Sequence, residues 1–528
     1  MPNKNILLIE PGYKNKYPPL GLMKLGAYHG PCGKKDNVRF IKGETDKTVF
    51  ETVWDRIYVT TLFSFEWKTI SRSIDFAIAA SQNQPSKVFV GGIAASLMHE
   101  SFLEESKWSG VRFIKGLLSE PPAIALQLDD FAEEFYSDDR MGIPIEDLIP
   151  DYSILDQIKT QYVYPVHDAY FAYASRGCVR KCHFCGVPKL EGDQRDVTSI
   201  TSIVRGIDER YGAKKDLTLM DNNIAASPNF KNIIAEIRDL GFTPGAKLTR
   251  PARLPVQRRV DFNQGVDARI LCKDPMYLRE MSKICINPLR IAFDHIGLRK
   301  PYETAIRYAH EFGLCDLSNY MLYNFHDSPS DLYHRMRLNI DLNEELSIRI
   351  FSFPMRYQPT NQKDRTHIGP NWNRYFLRSM QIILQATHGI VSGAPSFFKR
   401  AFGDSLEDFE RLLSRPEHFI FNRVWYEELV GKGEFAEFNA QFSRLNDSER
   451  AELIALLSSA KPSQFASLRK GTKSKRIVSI LEFYLPLPEE KEQEIWSVCR
   501  EHRLKQKQVD VSIPDDQRVE DAGLTEAA

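Results

Sequence analysis

The sequence predicts an α/β protein in three parts: an N-terminal Rossmann-like parallel sheet, a central partial (β/α)6 barrel and a C-terminal helical domain. Three observations carry this. Short continuous apolar runs alternate with helical stretches over the first 135 residues. Six strand–helix units then follow in regular succession between about 168 and 356, and beyond Pro354 helical periodicity takes over. Strands that read as unbroken β-branched or aromatic runs are those covered on both faces. With 528 residues the chain is too long for one core, and about one domain per 150 residues gives roughly three.

In residues 1–135 the expected strands are NILLIEP (5–11), VRFIKG (38–43), RIYVTTLF (56–63), KVFVGG (87–92) and a second VRFIKG (111–116), with a helix in SRSIDFAIAASQ. Two copies of a hexamer are too few for a solenoid. They read as two similar buried strands, each ending in a glycine turn. Gly91-Gly92 reads as a tight turn. The acidic, proline-bearing stretch DDRMGIPIEDLIPDYSILD lies in a linker over 136–165.

The barrel segment, 166–370, has strands in AYFAYAS, LTLMD, RVDFN, LRIAFD, NYMLYNF and IRIFSF. Its helices carry start and stop signals. DVTSITSIVRGIDERYG opens on Asp196 as N-cap and closes on Gly212. FKNIIAEIRDLG closes on Gly241, and DPMYLREMSKIC and SPSDLYHRMRLNIDLNEEL begin with a proline suited to the first helical position. In such folds chemistry sits at the C-terminal ends of the strands. From 371 to 504, NRYFLRSMQIILQATHG, SLEDFERLLSRP and NDSERAELIALLSSA are helical and polar-capped, and 505–528 reads as a disordered polar tail.

Composition narrows the function. Hydrophobic residues make up 42% and charged residues 27%, an ordinary globular balance. Lys+Arg and Asp+Glu stand at 70 each, so net charge does not argue for nucleic acid. No apolar run reaches the roughly 18 residues of a membrane span, and the N-terminus lacks signal-peptide features. A cytoplasmic, reducing location is expected, where cysteine clusters mean metal or catalysis more often than disulfides.

Three of the eight cysteines fall in one stretch, SRGCVRKCHFCG, as Cys178, Cys182 and Cys185. They directly follow the first barrel strand, on a loop at the catalytic end. Structural thiols in a core fit poorly with the polar neighbours Arg180, Lys181 and His183. Zinc wants four ligands, usually in two Cys/His pairs; His183 could compete, but no second pair follows. An iron–sulfur cluster held by three thiolates leaves one iron open to a small molecule.

This C-x3-C-x-aromatic-C pattern, with Phe184 as the aromatic, resembles the signature of the radical S-adenosylmethionine (SAM) superfamily. Over about 1–370 the chain looks like the subgroup with an N-terminal cobalamin-binding-like domain. The resemblance implies a [4Fe-4S] cluster on Cys178, Cys182 and Cys185 that binds SAM through its open iron. Reductive cleavage would give a 5′-deoxyadenosyl radical, which takes hydrogen from a substrate in a methylation or rearrangement. Arg176, Arg180 and Lys181 would offset the cluster's charge.

Cofactor contacts are expected, by the same resemblance, at Phe184, Asp221 and Asn222 (in LMDNN), Asn263, Gln264, Asp267 and Arg269 (in VDFNQGVDAR), Asp294 beside His295, and Asn324 near His326. Each could also be a turn or capping residue. Cobalamin is possible, but its Asp-x-His-x-x-Gly ligand motif is absent; the only histidines in 1–135 are His29 and His99. A small-molecule or peptide substrate and an electron donor such as flavodoxin or ferredoxin are implied, with no membrane.

Two basic stretches, KLTRPARLPVQRR and SLRKGTKSKR, could grip an anionic or nucleic-acid substrate. No aromatics are interleaved for base stacking, so nucleic acid is the lesser alternative. The competing function is an iron–sulfur electron-transfer or sensor protein, which needs a fourth thiolate such as Cys272.

Overall fold

The computed structural model describes residues 3–119, 137–138, 143–197, 199–469 and 472–511. The chain divides into two compact units, one of 1–327 with 334–367, the other of 328–333 with 368–528.

The first unit opens with a five-stranded sheet of β1 (Asn5–Glu10), β2 (Asn37–Lys42), β3 (Arg56–Thr61), β4 (Val88–Gly92) and β5 (Arg112–Phe113). The order is β2-β1-β3-β4-β5 and every pairing is parallel, the flavodoxin-like doubly wound arrangement. Ile6, Leu7, Leu8 and Ile9 of the interior strand β1 are wholly buried, each contributing about 1.5–3 kcal/mol of burial. Helix α1 (Leu20–His29) follows β1, and α2 (Trp67–Ala80) presents Ile70, Ile74, Ala77 and Ala80 to the core at helical spacing.

The repeated VRFIKG occupies the two edges of this sheet. Only Arg112–Phe113 of the second copy pairs, but both copies end on a left-handed glycine, Gly43 at φ 74° and Gly116 at φ 102°. At Gly92 a Cβ would lie 2.4 Å from the Thr61 carbonyl oxygen, so this glycine serves close strand approach. Helix α3 (Ile93–Leu97) starts there.

The stretch read as a linker is packed in its described part, with Ile145, Leu148, Asp151 and Ile154 buried. Seven further strands then run in chain order, β8 and β9 with no helix between them. The first sheet holds β6 (Ala169–Ala172), β7 (Asp216–Leu219) and β8 (Val260–Phe262). The second holds β9 (Val266–Asp267), β10 (Leu289–Ala292), β11 (Asp316–Tyr323) and β12 (Arg349–Arg356). All pairings within them are parallel, and a Val260–Ile286 bridge adjoins the first sheet. Arg290 of β10 reaches Asp261 of β8 with two bonds of 2.7 and 2.9 Å.

Helix α4 (Ile200–Tyr211) is capped by Ser199, whose side chain accepts from Thr201 N–H. Asp196, expected as its cap, is taken up by strand pairing with Ser175. Gly212 and Gly241 close α4 and α5 (Phe230–Asp239) with φ of 73° and 81°. Pro275 sits one place ahead of its helix, Met276–Met281, while Asp274 accepts from Met276 N–H.

The second unit is helical. Its helices Arg374–Ala386, Leu406–Leu413 and Asp447–Ser459 are capped by Asn373, Ser405 and Asn446, the latter two in reciprocal capping boxes. They cover a core that includes Phe419, Trp425, Tyr426 and Phe438. The last helix, Glu489–Val511, runs past residue 504 into the stretch expected to be disordered; the remaining tail lies outside the described residues. Among the described residues no helix is long and apolar enough to cross a membrane.

Candidate functional site

The three clustered cysteines lie on a closed loop. Ser175 pairs with Asp196 and Arg176 with Arg195, an antiparallel clasp that brings the loop's ends together. Gly177 completes it: its φ is 75°, and a Cβ there would fall 2.1 Å from the Asp193 carbonyl oxygen. Cys178 N–H bonds to Gly192 O at 3.2 Å. The loop therefore starts at the C-terminal end of β6 and returns to it.

The sequence LMDNN after β7 holds this loop in place. Asp221, 2% exposed, accepts from Ala174 N–H at 3.0 Å, Ser175 N–H at 2.5 Å and the Ser175 hydroxyl at 2.7 Å. Burial pushes its carboxyl up to about 6 against these hydrogen bonds. Asn222 donates to Glu191 Oε2 at 2.9 Å, and the same oxygen receives Gly177 N–H at 2.9 Å. Asn223, the second asparagine of LMDNN, meets Asp267 N–H through its side-chain oxygen at 3.5 Å.

Beneath the loop runs a buried ionic chain that local sequence did not reveal. Arg176 pairs with Glu191 at 3.1 Å and with Glu146, and lies over the Tyr173 ring. Glu146 pairs in turn with Lys24 of α1 at 3.6 Å. The chain thus links the N-terminal sheet to the cysteine loop. Its members are scattered in sequence, and only their charge type could have hinted at pairing.

The thiols face a second set of groups. Burial raises Cys182, opposed by the Arg269 guanidinium, which donates to it. Burial also raises Cys185, and the charges of Cys182, Cys178 and Asp294 add to the effect. Two sulfurs accept backbone bonds at 3.4 Å, Cys178 from Arg180 N–H and Cys185 from Val187 N–H. Asp267 holds Arg180 at 2.7 Å and Arg269 at 2.8 Å and also caps the short helix Ala268–Leu271. Its carboxyl lies below the ordinary range: burial alone would raise it, but the two arginines prevail. Asp294 is pushed up to about 6 by burial, against Arg335 and Arg269. Arg335, wholly buried, ties the strand ends by donating to the Phe293, Asp294 and Leu322 carbonyls.

Other expected site residues stand as follows. Phe184 packs edge-on against Phe325 at 5.7 Å, and Phe325 against Tyr357 at 4.7 Å. Asn263 is buried, its amide 3.8 Å from the Met220 sulfur, and its carbonyl receives the Tyr320 hydroxyl. Gln264, His295 and His326 are exposed. Asn324 is buried at φ 68° and donates to the Tyr357 and His367 carbonyls, so it clasps the loop after β12. Cys272 turns its thiol back to Arg269 O at 3.7 Å. Of the two N-terminal histidines, His29 has both ring nitrogens engaged, with Asp36 at 2.8 Å and Tyr58 at 2.9 Å. Of the basic stretch, Arg250 is bound to Asp168 and Arg258 lies over Phe242.

Among the described residues no three His, Cys, Asp or Glu groups converge as a single-ion site requires. A cubane cluster makes no such demand, since each thiolate takes a different iron. Three sulfurs on one loop, with backbone N–H donors and a guanidinium directed at them, are a donor set that fits it.

No described protein family matches the chain, and no curated protein does. Among solved structures, one similar chain is the radical SAM methyltransferase TsrM from Kitasatospora setae with cobalamin and a [4Fe-4S] cluster bound. It is 13% identical with a TM-score of 0.45, over 68% of this chain and 77% of that one. The same enzyme with tryptophan substrate and a SAM analogue bound gives 14% and 0.44, over 72% and 76%. Apo, SeMet-labelled OxsB, a cobalamin-dependent SAM radical enzyme, gives 13% and 0.46, over 98% and 82%. At such identities and scores the likeness carries no inference about ligand or reaction.

Proposed function

We propose that this chain is a radical SAM enzyme whose first unit forms a partial barrel around a [4Fe-4S] cluster held by Cys178, Cys182 and Cys185. The observation that carries the reading is the closed three-cysteine loop at the C-terminal end of β6, with N–H donors and Arg269 directed at its sulfurs. Bound there, the cluster would supply the electron that cleaves SAM into methionine and the 5′-deoxyadenosyl radical. The chain's own part is to hold and shield. Arg269 and Arg180, fixed by Asp267, set positive charge against the thiolates. Asp221 and Asn222 fix the loop, which leaves Asp294, partly exposed at the next strand end, as the carboxylate with the freest approach for an ammonium group of SAM. Phe184 and Phe325 wall the loop with apolar rings. The reading of a sensor with a fourth thiolate is less favoured, because Cys272 bonds its own helix.

The test is production of 5′-deoxyadenosine and methionine from SAM by the anaerobically reduced protein. Release of both products is the expected outcome; a reduced, iron-loaded protein that releases neither would leave only the electron-transfer reading.

A further inference from the structure

The first unit also holds a cavity that no residue of the cysteine loop lines. It measures about 290 Å³ and is lined by Gly26, Ala27, Gly30, Pro31 and Cys32 at the end of α1, Asp151 and Ser153 within the stretch read as a linker, and Arg210 and Tyr211 at the end of α4. Helix α4 begins just after the strand that closes the cysteine loop. Its 12 residues put about 18 Å between that end and the cavity.

Asp151 is the unusual member. It is 4% exposed. Its Oδ1 is saturated, receiving Ser153 N–H at 2.9 Å, the Ser153 hydroxyl at 2.6 Å and the Tyr211 hydroxyl at 2.9 Å. Its Oδ2 receives no hydrogen bond from the described residues, and no described Lys, Arg or His pairs with the carboxylate. Buried carboxylates are ordinarily paired, because desolvating an unpaired charge costs several kcal/mol.

Two glycines one helical turn apart keep the space around this oxygen open. A Cβ on Gly26 would come within 3.6 Å of Oδ2 and one on Gly30 within 3.5 Å. A side chain at either place would fill the cavity floor. Ala27 and Pro31 add apolar wall and Cys32 a soft sulfur, and Ser153, Tyr211 and the exposed Arg210 complete the lining. An acidic group beneath a small, largely apolar wall calls for a cation with a short hydrocarbon body. The cavity lies at the low end of the roughly 300–1,000 Å³ typical of ligand sites, so the occupant is small.

We propose that this cavity binds a small organic ammonium ion, with Asp151 Oδ2 receiving its N–H groups and Arg210 at the rim. The inference is independent of the radical reading, since no group of the cysteine loop takes part. Cys32, exposed in the cavity wall, reports occupancy without any need for activity.

The experiment measures alkylation of Cys32 by iodoacetamide in the full chain, followed by peptide mass spectrometry, with n-butylammonium or n-butyrate added at equal ionic strength. Butylammonium slows Cys32 alkylation by about fivefold or more in a saturable way, and butyrate leaves it unchanged. In Asp151→Asn the protection is lost. This variant keeps an acceptor for all three bonds to Oδ1 and replaces only the oxygen that has no partner, so its melting temperature stays near that of the unaltered chain. If the variant fails to fold, the contrast between butylammonium and butyrate in the unaltered chain decides alone. Equal protection by both ions, protection by neither, or full protection retained in folded Asp151→Asn overturns the proposal.

Discussion

Asp221 and Asp267 stand at neighbouring strand ends, close to the same loop, yet their surroundings push them in opposite directions. Asp221 meets only neutral donors, two backbone N–H groups and a hydroxyl, and burial lifts its carboxyl to about 6. Asp267 meets two guanidinium groups and is held low. The first is a strut that fixes where the loop begins. The second holds two guanidinium groups, one of which, that of Arg269, bonds the Cys182 sulfur. Residue type alone does not separate these roles; the partners do.

The sharpest way to test this division is to cut the support below the strut. Arg176→Met leaves Glu146 and Glu191 buried without their shared cation, and breaking such a pair costs about 3–5 kcal/mol. Thermal or denaturant unfolding should show that loss. A change within error would mean that the ionic chain holds nothing.

A smaller loss is expected at the strut itself. Asp221→Ala strands three donors around a buried site and should cost about 3 kcal/mol. Asp221 also predicts a pH signature. Its folded-state value lies above that of an unfolded aspartate, so between about pH 4 and 6 the native chain holds the extra proton. Its contribution is full below that window and is lost as pH rises through it. Asp221→Asn should flatten that part of the stability–pH curve; an unaltered slope would refute the assignment.

The least effect on stability belongs to Asp267→Asn. Its arginines are about one-third exposed, so about 1 kcal/mol or less is at stake. Its contribution has the opposite sign, present above the ordinary aspartate value and lost as pH falls from there through the lowered folded value. The comparison is sharpened by the reduction potential of the reconstituted protein, which Asp267→Asn should shift and which should stay put if Asp267 merely caps its helix.

Much of the framework was legible in the sequence because it is written in local patterns. All five N-terminal strands and six of the seven later strands are apolar runs bounded by turns, the two-residue β9 (Val266–Asp267) going unread, and Ser405, Asn446 and Gly212 act through neighbours three or four residues away. The cysteine loop was legible for the same reason. What spacing could not show is long-range pairing. Asp221 and Asn222 have no partner close in sequence, yet Ser175 and Glu191 engage them from 46 and 31 positions away. Asn324 likewise bonds the Tyr357 and His367 carbonyls from a left-handed conformation that its neighbours do not mark. Asp151 read as part of a linker, and its burial depends on glycines more than a hundred residues earlier.

The central claim is that Cys178, Cys182 and Cys185 act as one set of cluster ligands. Iron content and the spectrum of anaerobically reconstituted protein test it most directly. The account predicts about four irons per chain with [4Fe-4S] absorption, lost when Cys182→Ala is made, while Cys272→Ala leaves both unchanged. Full iron in Cys182→Ala would contradict it.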